Sequence, residues 1–134
     1  MINRISMAMA VVFSLSGCAG FTTLSSPETA ASLDDMSLCK RARSNLCGGI
    51  YGCPQDKYAI AEIKKRNLIP DSEWPLINER KIRRGMTECG LNASWGGHPK
   101  INNSVGSWGV HKQYVYGSGS YVYVENGKVT SWQN

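Results

Sequence analysis

Asn126-Gly127 is the feature that most narrows how this chain can fold. A two-residue type I′ turn needs positive φ at both positions, which Asn and Gly tolerate, and it fixes the register of the strands it joins. From Ser107 onward the sequence alternates instead of following a helical period, which signals strands. Val110 to Tyr116, Tyr121 to Glu125 and Lys128 to Gln133 read as three antiparallel strands. The two-residue turn places Glu125 opposite Lys128, Val124 opposite Val129, Tyr123 opposite Thr130 and Tyr121 opposite Trp132. Opposite charges and like-shaped groups then face each other, as stable cross-strand pairs should. Gly117 to Ser120 reads as a looser, four-residue loop, putting Tyr116 opposite Tyr121, Val115 opposite Val122 and Tyr114 opposite Tyr123. The sheet then has a valine face (Val115, Val122, Val124, Val129) and an aromatic face (Trp108, Tyr114, Tyr116, Tyr121, Tyr123, Trp132). Helices can cover only one face of so small a sheet. The valine face is the expected one, because smooth aliphatic groups pack closely under helices and tyrosine hydroxyls need partners.

Helical signals precede the sheet. Leu33 to about Leu46 carries Asp34 and Asp35 early and Lys40, Arg41 and Arg43 late, which suits the helix dipole. Pro54 is placed to start a second helix, since the first helical position needs no amide hydrogen. Asn67 and Pro70 stop it after Lys64, Lys65 and Arg66. A short turn follows between Asp71 and Asn78, with Pro75 near its start and Trp74, Leu76 and Ile77 to bury. Gly85-Met86-Thr87 opens the last helix, with Thr87 as its cap. Leu91 and Trp95 share a face four residues apart, and Gly96, Gly97 and Pro99 end it.

The N-terminus has a different chemistry. Met1 to Arg4 carries one positive charge, Ile5 to Leu15 is apolar and uncharged, and Leu15-Ser16-Gly17-Cys18 follows. A basic start, a short apolar run and small residues before a cut describe a secretory signal. The run is too short for a mature transmembrane helix, which needs about 20 apolar residues. The tetrad resembles the lipobox of bacterial lipoproteins. That resemblance implies a diacylglyceryl group on the Cys18 thiol and cleavage before it, and Ala19 in the next position implies the outer membrane. Several acyl chains anchor stably where one does not. Residues 1–17 are thus expected to be a signal peptide, 18–32 a lipidated cysteine with a Thr/Ser/Ala-rich flexible tether, and 33–134 a single domain. Removing 17 of the 134 residues leaves 117, enough for one small domain.

With Cys18 used for lipid, Cys39, Cys47, Cys53 and Cys89 remain. An even number in an oxidising compartment reads as disulfides. Three pairings are open. Cys47–Cys53 is favoured as a local loop because the glycine-rich segment between them folds back easily. That leaves Cys39–Cys89 to staple the first helix to a later one. Zinc is disfavoured, since there is no C-x-x-C and His98 and His111 lie outside any ligand spacing. No cofactor is expected. The net charge of +5 is spread over clusters at Lys40-Arg41-Arg43, Lys64-Lys65-Arg66 and Arg80-Lys81-Arg83-Arg84. Such a face gains about 1 kcal/mol per residue close to anionic lipid, but solvated helix faces explain it as well. The extracytoplasmic address disfavours nucleic acid as a partner.

Ile82-x-x-Gly85-Met86-Thr87, Trp95-Gly96-x-x-Pro99, Gln113-Tyr114-Val115-Tyr116 and the run from Tyr121 to Thr130 occur in that order. Together they resemble the SmpA/OmlA family, the BamE-like small lipoproteins, over about residues 82–133. The resemblance implies an α+β fold with N-terminal helices packed on one face of a three-stranded antiparallel sheet. The family includes an accessory subunit of the outer-membrane β-barrel assembly machine. The helix-rich segment from Leu33 to Asn78 and the tyrosine-rich sheet face depart from its pattern.

No nucleophile elbow, metal motif or phosphate loop is present, so the expected class is non-catalytic, without a small-molecule substrate. The leading expectation is a lipid-anchored envelope module on the periplasmic face of the outer membrane. It would bind an outer-membrane protein or the membrane surface through the aromatic sheet face, because aromatics are favoured in binding centres. The competing account of that face is a second small core. Two other functional readings are a structural envelope-integrity lipoprotein and a prophage-encoded superinfection-exclusion lipoprotein.

Overall fold

The computed structural model describes residues 24–43, 55–96 and 99–134. Among these residues five α-helices precede a four-stranded antiparallel sheet: α1 (Pro27–Ala31), α2 (Asp35–Arg41), α3 (Lys57–Lys65), α4 (Trp74–Asn78), α5 (Glu88–Trp95), then β1 (Lys100–Gly106), β2 (Gly109–Val115), β3 (Tyr121–Glu125) and β4 (Lys128–Gln133). The strands lie in sequence order, so each connection is a hairpin. The fold is α+β, with four strands where three are expected.

Each helix has a local cause. Ser26 caps α1 and Pro27 opens it. Asp34 accepts the Ser37 amide at the start of α2, and Lys40 and Arg41 sit in its last turn. α3 starts at Lys57 rather than at Pro54, and Asp56 caps it: its carboxylate accepts the amides of Tyr58 and Ala59, and the Leu24 amide at 2.6 Å. The tether expected to run to Ser32 is in fact folded from Leu24. Leu24 and Ala30 are buried, and the Arg66 guanidinium holds Ala31 O and Leu33 O at 2.9 Å. Small side chains hid this segment from a hydropathy reading. Ala30 is buried because it is small enough to sit close to α3.

Thr87 caps α5 as expected, accepting the Gly90 amide at 2.9 Å. The stretch before it runs beside β4: Gly85 N donates to Val129 O, Val129 N to Met86 O, and Glu88 N to Gly127 O. One end of the sheet's β4 edge is thereby closed.

The Asn126-Gly127 turn holds, with φ of 48° and 78° and Glu125 opposite Lys128. Beyond Val124–Val129 a bulge leaves Thr130 as an extra residue, so Tyr123 faces Ser131, Val122 faces Trp132 and Tyr121 faces Gln133. A bulge inserts one residue and re-aims everything after it. The β2–β3 loop is also shorter than the sequence suggests. Tyr116 N donates to Ser120 O across Gly117-Ser118-Gly119, and Gly119 takes φ 82°. Three-residue loops with a left-handed residue are a favoured hairpin connection. The register is therefore Val115–Tyr121, Tyr114–Val122 and Gln113–Tyr123, one residue away from expectation. A one-residue slip moves every side chain of a strand to the other face. Tyr114 accordingly joins Val122, Val124 and Val129 in the core, and Val115 faces Tyr121 instead of Val122.

The strand missed in the sequence is β1. Its only large apolar residues are Ile101 and Val105, and Asn102, Asn103 and Ser104 between them give no strand signal.

Candidate interaction surface

The buried side of the sheet is fixed to α5 by polar groups. Lys112 Nζ lies 2.8 and 2.9 Å from the two carboxylate oxygens of Glu88, and the Tyr114 hydroxyl donates to the same carboxylate. Asn92 Nδ2 reaches Glu88 O at 2.9 Å and Tyr114 Oη at 3.4 Å. Tyr116 packs edge-on against Trp95, with ring centroids 5.2 Å apart. Burial pushes the hydroxyls of Tyr114 and Tyr116 well above the usual phenol range. For Tyr114 the Glu88 carboxylate adds to that, because the proton it receives stabilises the neutral phenol.

Two more buried charges tie the helices together. Glu73 accepts Thr87 N at 2.9 Å and Thr87 Oγ1 at 2.7 Å, so one carboxylate holds the residue that caps α5. Arg43 donates to Ala93 O and Ile77 O, both at 2.9 Å, joining the ends of α4 and α5. Desolvation and then Arg80 push the Arg43 guanidinium below its ordinary value. Cys39 and Cys89 form a disulfide that links α2 to α5, the long-range pairing expected. Cys18, Cys47, Cys53 and His98 lie outside the described residues.

The opposite side of the sheet is polar. Asn102 Nδ2 donates to Gln113 Oε1 at 2.9 Å, and Gln113 Nε2 to Tyr123 Oη at 3.4 Å. His111 pairs with Glu125 at 3.4 Å, with both side chains nearly half exposed. Tyr121 and Tyr123 are half-buried on this face.

The six predicted binding-face residues are thus separated. Tyr114 is fully buried and Tyr116 is partly buried against Trp95 and the core, while Tyr121 and Tyr123 share the polar face. Trp132 is 38% exposed opposite Val122. Trp108 lies at the β1–β2 turn, away from the other five, 63% exposed.

That turn gathers three of the four large exposed apolar side chains among the described residues, Trp132 being the fourth. Val105 and Val110 face each other across β1 and β2 and are 74% and 36% exposed. They project on the helix-facing side, past the point where helices cover it. The Trp108 ring lies over Gly106, where an added Cβ would come within 2.4 Å of it. Gly106 alternates with Val105, so the ring covers the other side of the hairpin. The hairpin end is therefore apolar on both sides. Gly109 lets it turn, at φ 110°, with Asn126 Oδ1 accepting Val110 N at 2.9 Å beneath it. The sequence does carry a signal for this end: Val105-Gly106 and Gly109-Val110 are symmetric about Ser107-Trp108.

Among the described residues no group of three or more His, Cys, Asp or Glu is placed to hold a metal ion. No helix among them is long and apolar enough to cross a membrane. Protein-family models, curated proteins and solved structures yield no match to this chain.

Proposed function

We propose that this is a non-catalytic, lipid-anchored protein of the outer membrane that binds an envelope protein through the end of its β1–β2 hairpin. The observation that carries the reading is the clustering of Val105, Trp108 and Val110 on one projecting hairpin. Single exposed apolar residues are ordinary, but grouped ones mark contact sites. Tryptophan in particular contributes disproportionately to binding centres. An end that is apolar on both sides suits a cleft in a partner better than a flat surface.

The lipid anchor rests on the Leu15-Ser16-Gly17-Cys18 tetrad and the apolar run before it. The Cys39–Cys89 disulfide agrees with an oxidising compartment. The motif order over residues 82–133 supports kinship with barrel-assembly accessory lipoproteins.

A photo-crosslinking residue at position 108 in living cells is expected to give a discrete protein adduct, while one at Tyr123 gives none. An adduct pattern centred on position 123 would overturn the assignment to the hairpin. Cys18→Ser is expected to abolish palmitate labelling and leave the precursor uncut; labelling that persists would remove the anchor. Tyr114→Ala is no test of binding, because Tyr114 is core.

A further inference from the structure

The two edges of the sheet differ. Beside β4, the segment from Gly85 to Glu88 exchanges backbone hydrogen bonds with residues 127–129. Among the described residues no strand pairs with the outer edge of β1, and β1 is exposed at five of its seven positions. A free strand edge offers unpaired N–H and C=O groups to any chain that can align with it, unless charge, proline or a bulge blunts it. This edge has no proline and one charge, Lys100, at its end.

Which groups point outward follows from the turn. Gly106 and Gly109 flank the two-residue Ser107-Trp108 connection and form a hydrogen-bonded pair in such hairpins. Antiparallel ladders alternate bonded and non-bonded pairs. Residues 100, 102, 104 and 106 therefore bond to β2, and Ile101, Asn103 and Val105 direct their N–H and C=O to the free edge. The Asn126 N to Val110 O bond agrees, since it shows residue 110 directed towards β3 rather than β1.

We infer that β1 pairs antiparallel with β1 of a second copy about a two-fold axis at Asn103, joining two sheets into one of eight strands. The register is self-complementary. Asn103 faces Asn103 of the second copy, and Ile101 faces Val105, so the valine that is 74% exposed in one copy gains an aliphatic neighbour. On the other face Asn102 meets Ser104. Lys100 meets Gly106, so no like charges oppose each other. The three outward residues of each copy form three bonded pairs, each exchanging two N–H···O bonds, which gives six in all. A strand edge gains affinity from such main-chain bonds and specificity from alternate side chains. The pairing uses the flank of the hairpin: it takes Val105 from the apolar end, sets Lys100 beside the Trp108 ring that lies over Gly106, and leaves Val110 and the outer side of that ring exposed; it holds whether or not the chain carries lipid.

The test uses the full chain in mild detergent. Asn103→Cys is expected to give a 103–103 link with a short thiol crosslinker, identified by peptide mass, because paired residues there sit about 5.5 Å apart between Cα atoms. Ser104→Cys, which would face Asn102, is expected to give far less self-linking. In sedimentation the unmodified chain is expected to double its mass as concentration rises. Asn103→Pro removes an outward N–H without breaking the ladder to β2, and Asn103→Asp sets two like charges face to face. Both variants are expected to lose the doubling while keeping native near-UV dichroism. A chain that stays monomeric, or a dimer that survives both substitutions, overturns the inference.

Discussion

The helical layer and the β1–β2 hairpin are built on opposite terms. In the helical layer buried charges each have a partner: Arg43 with the carbonyls of α4 and α5, Glu73 with Thr87, Glu88 with Lys112 and Tyr114. A disulfide crosses the same layer. The end of the hairpin beyond Lys112 has neither; there it leaves the core, and Val105, Trp108 and Val110 face solvent. Buried polar networks stabilise only when every member is satisfied, so the layer is tuned to be kept intact. The hairpin can be altered without that penalty, which is what a contact surface requires. Substitutions should therefore divide sharply between the two.

The largest effect is expected at the disulfide. Cys39 and Cys89 are 50 residues apart, and closing such a loop stabilises by about 4 kcal/mol in the chain-entropy model. Cys39→Ala combined with Cys89→Ala should lower the denaturation midpoint accordingly. A midpoint within error of the parent chain would mean the helical layer does not depend on its staple.

Glu73 comes next. Removing its carboxylate strands two part-buried donors on Thr87, and such groups lie at the low end of the range of about 1–3 kcal/mol for an unsatisfied buried group, so Glu73→Ala should cost about 2–3 kcal/mol in chemical denaturation. Gly90 sharpens the point. Alanine in a helix ordinarily gains about 1 kcal/mol over glycine, but a Cβ here would lie 2.2 Å from Glu73 Oε2. Gly90→Ala is expected to destabilise, and to do so less in a Glu73→Ala background, because neighbours that share a contact are not additive. Additive losses would separate the two residues.

Alkaline pH should weaken the core selectively. The hydroxyls of Tyr114 and Tyr116 are held above the ordinary value of 10.0, for both by burial first. A folded-state value raised above the unfolded one gives stability that is complete below the unfolded value and lost as pH rises through the folded one. Stability should thus fall from about pH 10 upward. The Tyr116 hydroxyl is buried without a hydrogen-bond partner among the described residues. Tyr116→Phe should be neutral or slightly stabilising at neutral pH and should reduce the alkaline loss. A Tyr116→Phe chain that is less stable at neutral pH would point to a partner for that hydroxyl.

Much of this was legible in the sequence, and the misplaced sheet faces share one cause. The capping residue Thr87, the Asn126-Gly127 turn and the last three strands could be read because each depends on a few neighbouring residues; the Cys39–Cys89 pairing, 50 residues apart, could be read as what a local Cys47–Cys53 loop leaves over. Face assignment could not, because it depends on counting. The three-residue loop at Gly117 and the bulge at Thr130 each shift register by one, and each shift exchanges inside for outside. Tyr114 was therefore expected on the surface, although it is core. The strand β1 was hidden for another reason: an edge strand with little to bury carries little pattern. Its exposed valine and the neighbouring tryptophan became informative only once pairing had brought Val105 opposite Val110.

The smallest effect on stability is expected where the largest effect on binding is proposed. Trp108→Ser with Val105→Thr removes most of the apolar end of the hairpin, at positions 63% and 74% exposed. Surface substitutions away from caps, cores and networks usually fall within about 0.5 kcal/mol. The ring does cover Gly106, so some loss within that range is expected from its removal. Thermal unfolding should therefore hardly change, while the adduct from a photo-crosslinker placed at Val110 should fall several-fold. A stability loss comparable to that of Glu73→Ala would show that the hairpin end is packed after all. It would then belong with the helical layer and not with the contact surface.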